Sequence, residues 1–320
     1  MIGLKEIAKI AGVSVATVSN VINGRKNVGQ STRERIIQLC DELGYQPNLI
    51  GKSLKDGKTN TIVFNFSNFE RTFYLKIIKG INDYLSENGF DLIVCTTSSS
   101  KKFMQSNFSR GAIVLDKEME SEFLTSVADK HFPIVVMDRV VDNEHIKSVI
   151  VENYAVMCEF VQKLVDKGFR DFGYIGGFES SLDHQERFQA FEDTLFKNDI
   201  AFQRTNYYYG DFSEESGYRA AKIVILSNKL PEILICANDN MAIGAIKALN
   251  ESGYSIPGDI SITGFDDSHL AESFGLTTVA IPRYESGYLA ARELIEMILE
   301  TGNNKNFKIS ATMVWRTTVK

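Results

Sequence analysis

The chain has 320 residues, 44% apolar and 24% charged, with 35 Lys and Arg against 41 Asp and Glu and a net charge of −6. That is room for two or three globular units, since a single core stops growing near about 250 residues, and it excludes a bare binding module and a chain that is basic throughout. The average conceals a split: residues 1–58 carry nine Lys or Arg and five acids, so a small positive head precedes a large acidic body.

No run approaches the roughly 20 apolar residues of a membrane span, and Lys5, Glu6 and Lys9 interrupt the N-terminal sequence, so neither an export signal nor an anchor is expected and the cytoplasm is the expected location. Cys40, Cys95, Cys158 and Cys236 stand singly, with no C-x-x-C, and read as reduced core thiols.

In the head, Leu4, Ile7, Ala8 and Ala11 mark one face of a short helix. Gly12-Val13-Ser14 breaks it, and Ser14 caps a second helix bearing Val15, Val18, Val21 and Ile22. A third is expected from a cap at Ser31, with Glu34 completing a capping box, through Ile36, Leu39, Cys40 and Leu43 to Gly44. Two helices joined by a tight A-G-V-S turn and supported by a third describe a helix-turn-helix. In that geometry the N-terminal part of the second helix enters the major groove, so Val15, Ala16, Thr17 and Asn20 are the candidate base contacts. Asn20 could hold an adenine edge by two hydrogen bonds, and Val15 or Ala16 could meet a thymine methyl. Ser19, Asn23, Lys26 and Arg33 suit phosphates, which position without reading sequence. The competing reading is a small helical interaction domain with an ordinary solvated face. Next, Pro47 disfavours helix before it and Asn48 can cap a two-turn segment to Asp56, too short to be helical alone.

After Gly57 the pattern turns to β-rich runs alternating with amphipathic helices. Strands are expected at 61–66, 90–95, 111–115, 133–137 and 149–151, with helices at 74–88, 118–130 and 154–167. The cycle then restarts with strands at 172–175, 207–209, 233–236 and 260–263 and helices at 185–198, 214–226 and 240–252. Two βαβα series with buried, non-alternating strands imply an α/β body of two doubly wound parallel sheets beneath the all-α head. Ligands of such sheets bind beyond the strand carboxyl ends, where Asp138-Arg139, Asn153, Asn238-Asp239 and Asp266-Asp267 cluster with Arg187 and Phe212. Acids and amides suit vicinal hydroxyls, and a ring such as Phe212 can cover a sugar face. Any single one of these residues could instead merely cap the next helix.

Enzyme signatures fail. There is no G-x-S-x-G, G-x-x-x-x-G-K-[ST], H-E-x-x-H or complete G-x-G-x-x-G, and His131, His145, His184 and His269 lack metal-ligand spacing. No catalytic residues, metal or cofactor are expected.

The run Ile7 to Gly24 (IAKIAGVSVATVSNVING), with Thr32-Arg-Glu-Arg35, Leu43-Gly-Tyr-Gln-Pro-Asn48 and Ser53-Leu54, closely resembles the DNA-binding head of the lactose/galactose repressor family. The body agrees along nearly its whole length, at Asp138-Arg139, Tyr174-Ile-Gly-Gly177, Arg187, Gly210-Asp-Phe-Ser213, Ala237-Asn-Asp239, Gly264-Phe-Asp-Asp267 and Trp315-Arg-x-Thr318. The resemblance implies a sequence-specific transcriptional regulator, a repressor of carbohydrate-utilisation genes, acting as a homodimer or dimer of dimers on a near-palindromic operator. It implies a helix-turn-helix at 1–47 and a hinge helix and linker at 48–59, with Leu54 as an apolar minor-groove wedge. It also implies a body at 60–320 of periplasmic-binding-protein type, with lobes of about 60–156 plus 284–304 and 157–281 plus 305–320. The family's effector positions fall on Tyr74, Arg139, Asn153, Arg187, Phe212, Asp239 and Asp266, and the effector it implies is a sugar or phosphosugar that alters operator affinity by rotating the lobes.

Departures from the family pattern include Asn20 where Arg is commonest and Gly51 in the hinge. The crossover at 96–110 is shortened, which implies a stunted helix or a loop with the sheet intact. The rival reading is a cytoplasmic sugar-sensing protein without sequence-specific DNA binding, since periplasmic sugar-binding proteins share the two-lobed architecture; the intact head counts against it.

Overall fold

The computed structural model describes residues 2–22, 24–25, 27–45, 59–67, 74–106, 108–227, 229–302 and 305–320. The chain divides into two compact units, Met1–Thr59 and Asn60–Lys320.

The first unit contains α1 (Leu4–Ala11), α2 (Val15–Ile22) and α3 (Gln30–Glu42). Gly12 ends α1 in the left-handed region at φ 64°, a conformation open to glycine at no steric cost. Ser14 then caps α2, its Oγ accepting from Thr17 N at 3.1 Å. The start of α3 differs from expectation. Gly29, extended at φ −60° and ψ 147°, is the N-cap with no side-chain cap bond, and Glu34 accepts from Gln30 Nε2 at 3.1 Å instead of closing a box with Ser31. Ile7, Ala8, Ala11, Val18, Val21 and Ile36 meet in one small core. Each large aliphatic buried there contributes about 1.5–3 kcal/mol, so the unit is held by few side chains.

The second unit is built on two parallel sheets. The first has the order β11-β5-β4-β3-β1-β2, from β1 (Thr61–Phe66), β2 (Asp91–Thr96), β3 (Ala112–Leu115), β4 (Ile134–Val136), β5 (Ile146–Val151) and β11 (Phe307–Ile309). The second runs β7-β6-β8-β9, from β6 (Phe172–Ile175), β7 (Tyr207–Tyr208), β8 (Ile233–Cys236) and β9 (Ser261–Thr263). A two-stranded antiparallel ribbon, β10 (Thr278–Ala280) with β12 (Thr312–Val314), lies beside β9 through a bridge between Thr263 and Thr277. Around the first sheet lie α4 (Tyr74–Glu87), α5 (Thr97–Met104), α6 (Ser121–Val127) and α11 (Arg283–Ile298); around the second lie α7 (Asn153–Asp166), α8 (Leu182–Lys197), α9 (Glu214–Leu226) and α10 (Asp239–Glu251). The central strands are buried on both faces, which is why their sequences read as unbroken apolar runs.

Three expectations for the body need correction. The helix expected at 118–130 is only Ser121–Val127, because Asp116 Oδ1 accepts from Glu118 N at 3.1 Å and turns the chain before the helix can start. The strand expected at 149–151 begins at Ile146. Residues 305–320 do not all join the second lobe: Phe307, Lys308 and Ile309 pair with Val149, Ile150 and Val151 in the first sheet, so the last crossing lies between β11 and β12. The shortened crossover after β2 forms an eight-residue helix, α5, with Ser100 and Met104 buried.

Candidate recognition helix and effector cleft

On α2, Val18 and Val21 face the core, whereas Val15 and Ala16 are exposed and Thr17, Ser19 and Asn20 are half-buried. The expected base-reading arc is thus a surface of the helix opposite its packing stripe. Thr17 Oγ1 lies 2.8 Å from Ser14 Oγ, which ties it to the cap. Arg33 donates to the Arg25 carbonyl, and Arg25 N donates to the Asn20 carbonyl at 2.9 Å, so α3 fastens the chain leaving α2. Asn23, Lys26, Leu54 and nearly all of 48–59 lie outside the described residues.

The first-lobe wall is made by the chain leaving β1, β3 and β4. Buried Asn65 donates to Asp116 Oδ2 at 3.0 Å, Thr97 donates to the same oxygen, and Ser100 Oγ donates to Asn65 Oδ1. Arg139 is spent within this lobe. Its Nε donates to Ser121 Oγ at 3.1 Å, its Nη1 to the Asp116 carbonyl at 3.2 Å and to both Asp138 oxygens at 2.9 and 3.0 Å, and its Nη2 to the Met119 carbonyl. Tyr74 is buried too, its hydroxyl 2.9 Å from Ser67 Oγ and its ring 4.9 Å from that of Phe66. Burial pushes the Asp138 carboxyl up to about 6; Arg139 opposes this, while Asp183 and Asp116 add to it. Asp183 begins α8 in the opposite lobe, so two carboxylates face one another across the cleft. Lys117 reaches across as well, its Nζ 5.6 Å from the Phe178 ring centroid.

The second-lobe wall centres on Arg187, a buried guanidinium 3.7 Å from the Phe265 ring centroid. Its Nε donates to Asn153 Oδ1 at 3.0 Å, its Nη1 to the Ala237 carbonyl at 2.8 Å, and its Nη2 lies 4.0 Å from Asp266 Oδ1. Asn153 Nδ2 donates to Asp183 Oδ1 at 2.8 Å, and Arg283 Nη2 donates to Asp266 Oδ1 at 2.7 Å. Two of the expected effector residues have a backbone that L side chains seldom adopt, Phe212 at φ 66° and Asp266 at φ 115°. Strain of this kind concentrates at ligand sites. The Phe212 ring lies where a Cβ on Gly177 would stand, 2.1 Å from its Cζ, so only glycine admits the ring there.

The structure therefore brings Asn153, Arg187 and Asp266 together, places Phe212 near Phe178 at 5.9 Å between ring centroids, and turns Arg139 and Tyr74 inward. Asp239 lies behind the wall. Its carboxylate accepts from Ser268 N at 2.5 Å and Thr278 Oγ1 at 2.6 Å, and it is 1% exposed, so it clamps the loop that carries Asp266. Burial, followed by the neighbouring Asp266 charge, pushes it up to about 7. Sequence reasoning missed Asp183 and Arg283. The first sits in the opening turn of a helix capped by Ser181, a signal that was available; the second has no local signal, since its partner is 17 residues away.

The model of bacterial regulatory proteins of the lacI family matches residues 3–48, and a periplasmic binding protein-like domain matches residues 161–319. The HTH-type transcriptional repressor PurR of Vibrio campbellii is 30% identical across 100% of this chain and 99% of its own length. The chain belongs to the lacI family of bacterial regulatory proteins. Another relative, the probable HTH-type transcriptional repressor ExuR of Bacillus subtilis, is 29% identical over 94% of this chain and 92% of its own. Among solved structures, a complex of the transcriptional regulator CelR with cellobiose has a TM-score of 0.73 at 27% identity, covering 99% of this chain and 100% of that one. The Lac repressor dimer bound to operator and the anti-inducer ONPF shares the fold, with a TM-score of 0.87 at 24% identity over 99% and 98% of the two chains. Among the described residues no group of three or more His, Cys, Asp or Glu could hold a metal ion.

Proposed function

We infer that the chain is a sequence-specific transcriptional repressor of carbohydrate-utilisation genes whose operator affinity is set by a small polar effector, a sugar or phosphosugar, between the two lobes. The observation that carries this reading is the full-length likeness to a repressor, head and body together. The effector class is supported by the CelR–cellobiose complex and by the donor and acceptor pattern of Asn153, Arg187 and Asp266 beside Phe212. Val15, Ala16, Thr17 and Asn20 read bases, Ser19 and Arg33 hold phosphates with Asn23 and Lys26, and Leu54 is the minor-groove contact, on a homodimer seated on a two-fold operator.

The mechanism follows from the crossings between lobes. The chain passes from β5 to α7, from β10 to α11 and from β11 to β12, and the Asp266–Arg283 pair bridges the second of these. A ligand hydroxyl that replaces Arg283 at Asp266, or Asn153 at Arg187, interacts differently with open and closed lobe arrangements. That difference is the free energy available to change operator affinity.

Selection of duplexes from a random pool with the full-length protein, with and without a panel of sugars and phosphosugars at stated salt, tests the reading. A two-fold operator whose enrichment changes with one compound is the expected result. A folded dimer that enriches no duplex under any condition would overturn it in favour of a sensor.

A further inference from the structure

The second lobe carries a cavity of about 400 Å³ that none of the effector residues lines. Its walls come from α8 and the sheet-edge strand β7. His184, Gln185, Phe188 and Gln189 recur at the spacing of a single helical face, turned from the one that carries Arg187. Tyr207 and Tyr209 complete an aromatic corner: the rings of Phe188 and Tyr207 are 4.9 Å apart, and those of Tyr207 and Tyr209 are 5.1 Å apart at 81°. Tyr209 is 73% exposed, a large ring left uncovered at the rim. Arg204 stands over the Phe188 ring at 5.4 Å and is anchored by Glu192 at 2.8 Å.

The polar chemistry of this corner is set by a buried imidazole. Burial and the Arg187 charge push His184 down to about 4, so it is neutral at ordinary pH. Its Nδ1 accepts from Gly177 N at 3.3 Å, which puts the ring proton on Nε2, 3.0 Å from the Tyr207 hydroxyl. Tyr207 oxygen is then the acceptor of that bond, and its own hydrogen is left for a group in the cavity. The lining carries one cation, Arg204, and one acid, Glu179, and is otherwise neutral.

We propose that this cavity is a second ligand site, taking a neutral pyranose whose C–H face stacks on Tyr209 and whose hydroxyls accept from Tyr207 and Arg204. Two near-perpendicular tyrosines offer an aromatic surface to the apolar C–H face of a sugar ring, while the phenol, guanidinium and glutamine amides meet its rim. A volume of about 400 Å³ admits one such ring with water. The balanced lining charge disfavours a phosphorylated or cationic ligand. Occupancy here does not depend on DNA binding, so failure of this proposal leaves the repressor reading standing, and the reverse.

The test is fluorine NMR on the full chain labelled with 3-fluorotyrosine, titrated with methyl glucoside, galactoside, mannoside and xyloside. The Tyr209 resonance is identified by its loss in Tyr209→Phe. The expected result is a saturable shift of that resonance with at least one glycoside. Its half-saturation should be unchanged in Asp266→Asn and should move roughly tenfold or more higher in Arg204→Ala, both with unchanged circular dichroism. No saturable shift with any of the glycosides would overturn the proposal. So would a half-saturation raised by Asp266→Asn and untouched by Arg204→Ala, which would place binding in the interlobe cleft.

Discussion

Asp266 Oδ1 accepts from Arg283 Nη2 at 2.7 Å, an ion pair joining a loop of the second lobe to the first residue of the helix by which the chain re-enters the first. Arg187 approaches the same oxygen at 4.0 Å. One carboxylate thus stands between a guanidinium of the ligand-facing wall and a guanidinium at a crossing. Replacing it should affect the coupling between sites more than either site alone. For Asp266→Asn the expected outcome is operator affinity close to wild type without effector, and an effector concentration for half-response raised roughly tenfold, or about 1.4 kcal/mol. Fluorescence anisotropy of a labelled operator titrated with effector measures both, and an unchanged half-response would remove Asp266 from the mechanism.

Asn20 has no part in the head core, so its truncation should leave the fold intact. Asn20→Ala is expected to shift preference at one base pair in each half-site by about 1–3 kcal/mol, with other positions unaffected. Competition binding against single-base operator variants reads this out. A uniform loss across all variants would instead assign Asn20 to the phosphates.

The body should become less stable as pH rises through mild acid. Burial holds the Asp138 carboxyl up to about 6 and that of Asp239 up to about 7, against an unfolded value near 3.8. A raised carboxyl contributes stability that is complete below the unfolded value and is lost as the pH climbs through the folded one. The unfolding midpoint should therefore fall between about pH 4 and pH 7 from these two groups, and Asp138→Asn should flatten the lower part of that fall. Thermal unfolding followed across this range would show a rising midpoint if the two carboxyls were held ionised instead.

Lys147 on β5 and Glu293 on α11 form an ion pair 2.9 Å long, with side chains only 3% and 1% exposed. Arg292 Nη2 also reaches Glu293, at 2.9 Å, but from the surface. Lys147→Met takes the buried partner from Glu293 Oε2 and leaves the carboxylate only the half-exposed Arg292, on Oε1, so a destabilisation of about 3 kcal/mol, the low end for a broken buried pair, is expected in denaturant unfolding. Joint replacement with Glu293→Leu should recover most of it, because no buried charge then remains and the half-exposed Arg292 keeps Glu296. A double variant as unstable as the single one would mean that the pair serves packing and not charge.

What could be read from the sequence was whatever depends on neighbours along the chain. Ile7, Val18 and Ile36 fell on helical periods, and the central strands of both sheets showed as apolar runs, since they are buried on both faces. Asn153 and Asp266 were legible as polar residues beyond strand ends and Arg187 as one near the start of a helix, and the fold does gather them. Arg139 and Asp239 carried the same local signature but meet different partners. Arg139 is drawn to carbonyls 20 and 23 residues earlier, and Asp239 to groups 29 and 39 residues later, contacts that no local spacing encodes. The C-terminal boundary failed for a related reason: Phe307–Ile309 takes its partners, Val149 to Val151, from a strand far earlier in the chain.

That last strand also limits how the molecule can be rearranged. β11 completes the first sheet, and β12, beginning three residues later, pairs with β10 beside the second. The lobes are therefore not successive modules. Grafting the ligand-facing lobe of a relative onto this head would require three simultaneous splices, at the passages from β5 to α7, β10 to α11 and β11 to β12. A chimera cut at only the first two would leave the native β12 to pair with a foreign β10 in the ribbon. New specificities in this scaffold are thus reached more readily by point substitution around Arg187 and Asp266 than by exchange of whole lobes.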